Sequence, residues 1–108
     1  MSTSKQYLGE SEAPTRAEVD ASQGLVLLEF GTAWCGYCRA AEAALAEVLS
    51  QHTHWRHVKI EDGPGRALGR SYSVKLWPTV VVLRDGQEVT RLVRPTQASA
   101  FSAAVNES

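Results

Sequence analysis

An apolar run covers residues 25–30 and is interrupted only by Glu29. A short continuous run of this kind predicts a strand buried on both faces, at the centre of a sheet. From about Arg39 onwards, apolar residues recur every three or four positions, on the face that carries Cys38 and Leu45. This spacing predicts a long helix that packs one face against the sheet.

The remaining predicted elements are shorter. Further strands are predicted at residues 55–60, 79–83 and 88–93, and further helices at 14–22, at 64–72 and after Thr96. Asp85-Gly86 is a typical turn between the last two strands. The order (α)βαβαββα predicts an α/β fold, with a central mixed β-sheet flanked by helices. We expect residues 1–108 to form one domain, in which residues 1–12 are flexible or add a short strand.

Composition narrows the classes of function. Charged residues make up 21% of the 108-residue chain, and the formal net charge is −1. Without a basic stripe, binding to nucleic acid or to an anionic membrane has no electrostatic support. No stretch approaches the roughly 18 apolar residues that cross a bilayer, and residues 1–7 lack the apolar segment of a signal peptide. We therefore expect a cytoplasmic protein.

The only two cysteines lie in the segment Trp34-Cys35-Gly36-Tyr37-Cys38, between the first strand and the long helix. A Cys-x-x-Cys pair at this place is typical of a redox site. The free N–H groups and the positive dipole end of the helix favour the thiolate of Cys35, which makes it the expected nucleophile. Cys38 follows closely enough to resolve a mixed disulfide. In a reducing compartment such a pair is more often catalytic than structural.

The cysteines allow two other interpretations. Either the cysteines are two core residues, or they share a zinc site with His52, His54 and His57. Along a continuous helix Cys38 and His52 are about 21 Å apart, whereas zinc holds its nitrogen ligands at about 2.0–2.1 Å. One mononuclear site therefore cannot use all of these residues. We expect no metal, and histidines that lie at a solvated helix end and in a loop.

From about residue 15 to 106 the order of elements and the Trp-Cys-Gly-x-Cys motif resemble the thioredoxin family. The segment 34–38 is similar to the active-site loop of that family. Pro78 is similar to the cis-proline that stands opposite the cysteines in the family. The resemblance implies a thioredoxin fold and a set of residues that contact the substrate: Trp34, Gly36, Tyr37, Trp77 and Pro78.

The same resemblance implies a proton acceptor. Glu29 falls where the family carries a buried acid, usually Asp, below the cysteines, and it is the expected base for Cys38. Burial disfavours the charged form of a carboxyl, which suits proton transfer near neutral pH. Lys59 falls where the family places a lysine partner for this acid, and it would oppose the effect of burial if the two come close.

The chain departs from the family pattern at four positions. Tyr37 replaces the usual proline between the cysteines, Gly31 replaces a tryptophan, Glu29 is one methylene longer than Asp, and Arg94 follows the last strand where a glycine is common. Loss of the proline changes the relative stability of the oxidised and reduced forms. We expect a redox potential above the value of about −270 mV typical of thioredoxin, in the range of roughly −230 to −180 mV.

The expected function is the reduction of protein disulfides by dithiol–disulfide exchange. The resemblance implies disulfide-bearing client proteins, a thioredoxin reductase as electron donor, no cofactor and a monomer. Glutaredoxin-like activity is an alternative, although the segment after Pro78 lacks the usual glutathione-binding signature. Cys-Gly-Tyr-Cys also resembles the active site of disulfide isomerases, which are typically exported dimers. A binding module with incidental cysteines is a further alternative.

Overall fold

The predicted order of elements is confirmed. The structure is a computed structural model that describes residues 3–106, and expectations for residues 1, 2, 107 and 108 lie outside it. The elements are α1 (Arg16–Asp20), β1 (Leu25–Gly31), α2 (Gly36–Gln51), β2 (Arg56–Glu61), α3 (Ala67–Ser71), β3 (Thr79–Arg84), β4 (Gln87–Val93) and α4 (Ala98–Asn106).

The long helix α2 begins earlier than predicted, at Gly36 rather than about Arg39. The cause is Cys35, which is the N-cap residue and has extended backbone angles. Its Sγ accepts the N–H of Cys38 at 3.2 Å. This bond satisfies one of the N–H groups that have no partner in the first turn of a helix, so the helix continues back to the cysteine.

Four strands form one mixed sheet in the order β2-β1-β3-β4. β1 pairs with β2 in parallel, across the α2 crossover, and with β3 in antiparallel orientation. β3 and β4 form the predicted hairpin. Its turn residues Asp85 and Gly86 both have positive φ, 51° and 82°. β1 is buried at all seven positions, as expected for a central strand with helices on both faces.

Two apolar layers cover the two faces of the sheet. Leu25 and Leu27 of β1 pack with residues of α2 and α4, among them Phe101. Leu28 and Phe30 point to the opposite face and pack with residues of α1 and α3. Because side chains alternate along a strand, Glu29 and Gly31 lie on the same face as Leu25 and Leu27. The pattern of β1 therefore places a buried carboxyl beneath α2, the helix that carries the cysteines.

The N-terminal segment runs beside β2. Ser4 and Leu8 donate backbone N–H groups to the carbonyls of His57 and Lys59, both at 2.9 Å. Leu8 forms a single parallel bridge with Ile60 instead of a full strand. Tyr7 is thereby held against the edge of the sheet that lies nearest to Glu29. In the part of the chain that the structure describes, no helix has the length and apolarity that a bilayer crossing requires.

Candidate active site

Cys35 and Cys38 occupy the first turn of α2. Both are free thiols in the structure. Cys35 retains 8% of its surface, whereas Cys38 retains 1%. Cys35 Sγ lies 4.0 Å from the carbonyl oxygen of Trp77, so the cysteine and the loop before β3 face each other. A pair built in this way exposes one sulfur to an incoming group and keeps the second directly behind it.

The Trp77–Pro78 peptide bond is cis, as the family resemblance implied. Arg94 donates two hydrogen bonds to the loop before β3. The backbone N–H of Arg94 donates to the Pro78 carbonyl at 2.8 Å, and its Nε donates to the Trp77 carbonyl at 2.9 Å. The end of β4 is thus tied to the loop that faces the cysteines.

An exposed apolar rim consists of Trp34 and Tyr37, which flank Cys35 in the chain, and of Leu76 and Val93, which lie beside the Trp77–Pro78 loop. These are four of the five exposed large hydrophobic residues in the described part of the chain, and Trp34 is the most open at 75%. The rings of Trp34 and Trp77 meet edge to face with centroids 5.7 Å apart. Exposed apolar residues grouped in one place are typical of a surface that binds a partner.

Tyr37 and Gly36, the two residues between the cysteines, have different surroundings. The guanidinium of Arg94 lies over the Tyr37 ring, 3.9 Å from its centroid. A Cβ added at Gly36 would have no neighbour within 4 Å. Arg94, which departs from the family pattern in the sequence, therefore contacts both sides of the site.

Glu29 is fully buried below the cysteines, and both of its carboxyl oxygens are occupied. The hydroxyl of Tyr7 donates to Oε2. Nε2 of His57 lies 2.8 Å from Oε1. The partners of Glu29 therefore come from the N-terminal segment and from β2.

The predicted pairing of Lys59 with Glu29 requires a correction. The two residues are opposite each other in the β1–β2 register. Lys59 Nζ nevertheless pairs with Glu42 of α2 at 3.3 Å and lies 4.3 Å from the centre of the Tyr7 ring. The ammonium group extends toward the exposed Glu42 carboxylate because Tyr7 and His57 already fill the positions beside the Glu29 oxygens.

Gly31 makes room for Cys38 and Tyr7. A Cβ added to Gly31 would lie 2.5 Å from Cys38 Sγ and 3.1 Å from the Tyr7 hydroxyl oxygen. The glycine that replaces the family tryptophan therefore leaves space that a tyrosine from the N-terminal segment fills.

Cys38 and Tyr7 both border the space at Gly31, and both have shifted pKa values. Burial raises the pKa of the Cys38 thiol to about 11, and the hydrogen bond of this thiol to Cys35 acts in the same direction. The Thr32 backbone and the Tyr7 hydroxyl act in the opposite direction. Burial and then the Glu29 carboxyl raise the pKa of Tyr7 above its usual range. Cys38 therefore needs a proton acceptor before it attacks at neutral pH.

The expectation that the histidines lie at a solvated helix end and in a loop is wrong for His57, which lies in β2 with its side chain against Glu29. His57 and Lys59 alternate along a predicted strand, so both lie on the same face of the sheet as Glu29. Tyr7 lies in a polar segment and carries no such signal. The other histidines contact Trp55, on which His52 stacks at 4.0 Å. Within residues 3–106, no three His, Cys, Asp or Glu side chains are grouped as ligands of a metal.

Comparison with known proteins agrees with this architecture. A sequence model of the thioredoxin family matches residues 9–107. The solved structure of thioredoxin 2 from Pseudomonas aeruginosa PAO1 in its reduced form is 55% identical, with a TM-score of 0.81 over 96% of this chain and 98% of that chain. This similarity confirms the thioredoxin fold.

Curated relatives match over shorter parts of their length. The TPR repeat-containing thioredoxin TDX of Arabidopsis thaliana is 31% identical over 90 residues, which are 83% of this chain and 23% of that protein. Thioredoxin H-type of Fagopyrum esculentum is 30% identical over 69 residues, which are 64% of this chain and 60% of that protein. The chain thus spans less than two thirds of these relatives.

Proposed function

The chain belongs to the thioredoxin family, and on that premise we propose that it reduces disulfide bonds in client proteins by thiol–disulfide exchange. The observation that carries this proposal is the position of Cys35 at the start of α2, with Sγ 4.0 Å from the carbonyl of Trp77. Nucleophile, resolving thiol and an open peptide-binding edge are the three parts that such exchange requires.

The first step is attack by the Cys35 thiolate. The N–H of Cys38 points at Cys35 Sγ from 3.2 Å, and the dipole of a 16-residue helix favours negative charge at this end. The thiolate forms a bond to one client sulfur, the client disulfide breaks, and the other client sulfur leaves with the electron pair. The product is a mixed disulfide between Cys35 and the client.

The second step is attack by Cys38 on Cys35. Cys38 gives up its proton, its sulfur bonds to Cys35 Sγ, and the remaining client sulfur leaves as a thiolate. Glu29 is the group that accepts the proton, because it is the buried carboxyl on the face of the sheet beneath Cys38. The client ends with two thiols and the enzyme with an internal disulfide.

Client binding uses the rim and the loop before β3. Trp34, Gly36 and Tyr37 line one side of Cys35, and Trp77 with Pro78 lines the other. Proline has no N–H, so a client segment in extended conformation meets the free edge of the loop without competition from that residue. The apolar rim contributes contact area on both sides of the reacting sulfur.

The remaining properties follow from the resemblance to thioredoxins. We propose a cytoplasmic monomer without a cofactor, reduced by a thioredoxin reductase. The redox potential is proposed to lie above about −270 mV, in the range of roughly −230 to −180 mV, because Tyr37 stands where a proline would restrict the loop. Equilibration against a glutathione series, followed by the fluorescence of Trp34, measures it.

Two cysteine variants test the proposed function. With a disulfide-bonded test peptide, Cys38→Ser is expected to accumulate a mixed disulfide at Cys35 that mass spectrometry identifies. Cys35→Ser is expected to form none and to lose activity. If both variants behave like the wild-type chain, or if the wild-type chain forms no mixed disulfide, the reductase proposal is wrong and the binding-module alternative is favoured.

A further inference from the structure

Four side chains lie in a row from the resolving cysteine to the far edge of the sheet. Cys38 Sγ and the Tyr7 hydroxyl border the same space at Gly31, the Tyr7 hydroxyl donates to Glu29, and Glu29 meets His57 at the end of the row. We propose that the hydroxyl of Tyr7 relays the proton of Cys38 to Glu29, and that His57 is a positioning residue that holds Glu29 ready to accept it. This inference rests on the reductase function proposed above.

Tyr7 stands between the thiol and the carboxyl. Its hydroxyl donates to Glu29 Oε2 and borders the same Gly31 space as Cys38 Sγ, while His57 occupies Oε1. With both oxygens of Glu29 taken, the route from the sulfur to the carboxyl passes through the phenol oxygen. A proton moves along such a route by exchange at each hydrogen bond.

Three features of the structure fix the position of Tyr7. Backbone hydrogen bonds of Leu8 to Lys59 and of Glu61 to Leu8, each 2.9 Å, fix the adjoining segment on β2. The ammonium group of Lys59 lies against the ring. Gly31 leaves the space in which the hydroxyl meets Cys38 Sγ, since a Cβ there would come within 3.1 Å of the hydroxyl oxygen. Tyr7 is thus held with its hydroxyl at the sulfur.

The two proton transfers and the attack by the Cys38 sulfur occur in one concerted step. The S–H proton of Cys38 moves to the Tyr7 oxygen while the proton of Tyr7 moves to Glu29 Oε2. At the same time the electron pair of Cys38 forms the bond to Cys35, and the client thiolate leaves with the pair of the broken S–S bond. Burial and the neighbouring carboxyl raise the pKa of Tyr7, so a free phenolate does not accumulate and the two proton movements occur together.

The other end of the row reaches solvent. The His57 side chain is 14% exposed and lines an open cavity of about 560 Å³ together with Leu45, Trp55 and Lys59. Nε2 of His57 lies 2.8 Å from Glu29 Oε1, where a ring N–H stabilises the charge of the carboxylate in an apolar layer.

Tyr7→Phe is the decisive variant, because it keeps the ring and its contact with Lys59 and removes only the hydroxyl. We expect the rate at which Cys38 resolves a preformed mixed disulfide to fall about 10- to 100-fold at pH 7. The rate should then rise with pH more steeply than in the wild-type chain. The attack by Cys35, measured in a Cys38→Ser background, should not change.

Other charged groups around the relay stay in place in this comparison, so the difference between the two pH profiles reports the hydroxyl. They are Lys5, Cys35, Glu42, His57, Lys59 and Glu61. Tyr72→Phe is the matched control, since the Tyr72 hydroxyl is also buried but has no hydrogen-bond partner among the described residues. It should leave both steps unchanged.

His57 is tested with two variants. His57→Ala should slow resolution several-fold and change its pH profile, whereas His57→Gln, which restores a donor toward Glu29, should recover most of the rate. Equal rates and equal profiles for the wild-type chain, Tyr7→Phe and His57→Ala would overturn the relay. A wild-type chain that forms no mixed disulfide would overturn the reductase function itself, so the two failures are distinguishable.

Discussion

The guanidinium of Arg94 covers the ring of Tyr37, 3.9 Å from its centroid, so the residue after β4 packs on a residue between the two cysteines. Arg94 holds this place with a φ of 52°, which side chains other than glycine adopt at a cost. That left-handed conformation costs about 1 kcal/mol for an L-residue. The contact with Tyr37 and the bond to the Trp77 carbonyl offset that cost.

This arrangement predicts that two truncations of Arg94 differ. Arg94→Ala loses the stacking, worth about 0.5–1 kcal/mol at an exposed site, and keeps the backbone cost. Arg94→Gly loses the same contact and relieves the backbone. We expect Arg94→Gly to be about 1 kcal/mol more stable than Arg94→Ala in urea unfolding. Equal stabilities would show that the backbone at this residue carries no cost.

Arg94 also predicts a preference among clients. Its fixed positive charge is exposed beside the Trp77 loop, where the proposed client segment lies. A test peptide with Asp next to its disulfide should be reduced roughly fivefold faster at low salt than the same peptide with Asn, since two charges about 4 Å apart in water interact by ~1 kcal/mol. Arg94→Gly or 0.5 M salt should remove the preference. A preference that survives both would assign it to another residue.

Gly31 predicts a large effect from a single methyl group. The Cβ of Gly31→Ala would lie 2.5 Å from Cys38 Sγ, so the sulfur or the strand must shift. We expect a loss of about 1–3 kcal/mol in the free energy of unfolding and slower resolution by Cys38. Gly36→Ala is the control for stability, because its Cβ would have no neighbour within 4 Å and should cost nothing. Similar losses in both variants would contradict the packing described here.

The buried thiol of Cys38 predicts how stability depends on pH. Its pKa is raised to about 11, above the value of about 8.5 of an unfolded cysteine. As the pH rises from 8 to 10, the unfolded chain loses this proton and the folded chain keeps it, so the free energy of unfolding decreases. We expect a decrease of about 1–2 kcal/mol from this group.

Urea unfolding of the reduced protein across this pH range measures the decrease. Cys38→Ala serves as the reference, because it removes the group and leaves the other titrating side chains. Between pH 8 and 10 its free energy of unfolding should decrease by about 1–2 kcal/mol less than that of the wild-type chain. Parallel curves for the two proteins would mean that Cys38 does not titrate differently on folding.

Most of the fold was predictable because its signals are local. The apolar run of β1 and the Asp85-Gly86 turn each depend on residues a few positions apart. The start of α2 was missed by three positions, because the cap is a sulfur that accepts a backbone N–H and not a hydroxyl or carboxylate.

The candidate site was also predictable only in part. The cysteine pair at the start of a helix was predictable from local spacing, and the family resemblance implied the roles of Pro78 and Glu29. The side chains that the Glu29 carboxyl meets depend on long-range packing: Tyr7 lies 22 residues before it, and His57 lies 28 residues after it. Lys59 lies opposite Glu29 in the β1–β2 register but pairs with Glu42, because packing leaves space for its long side chain on that side.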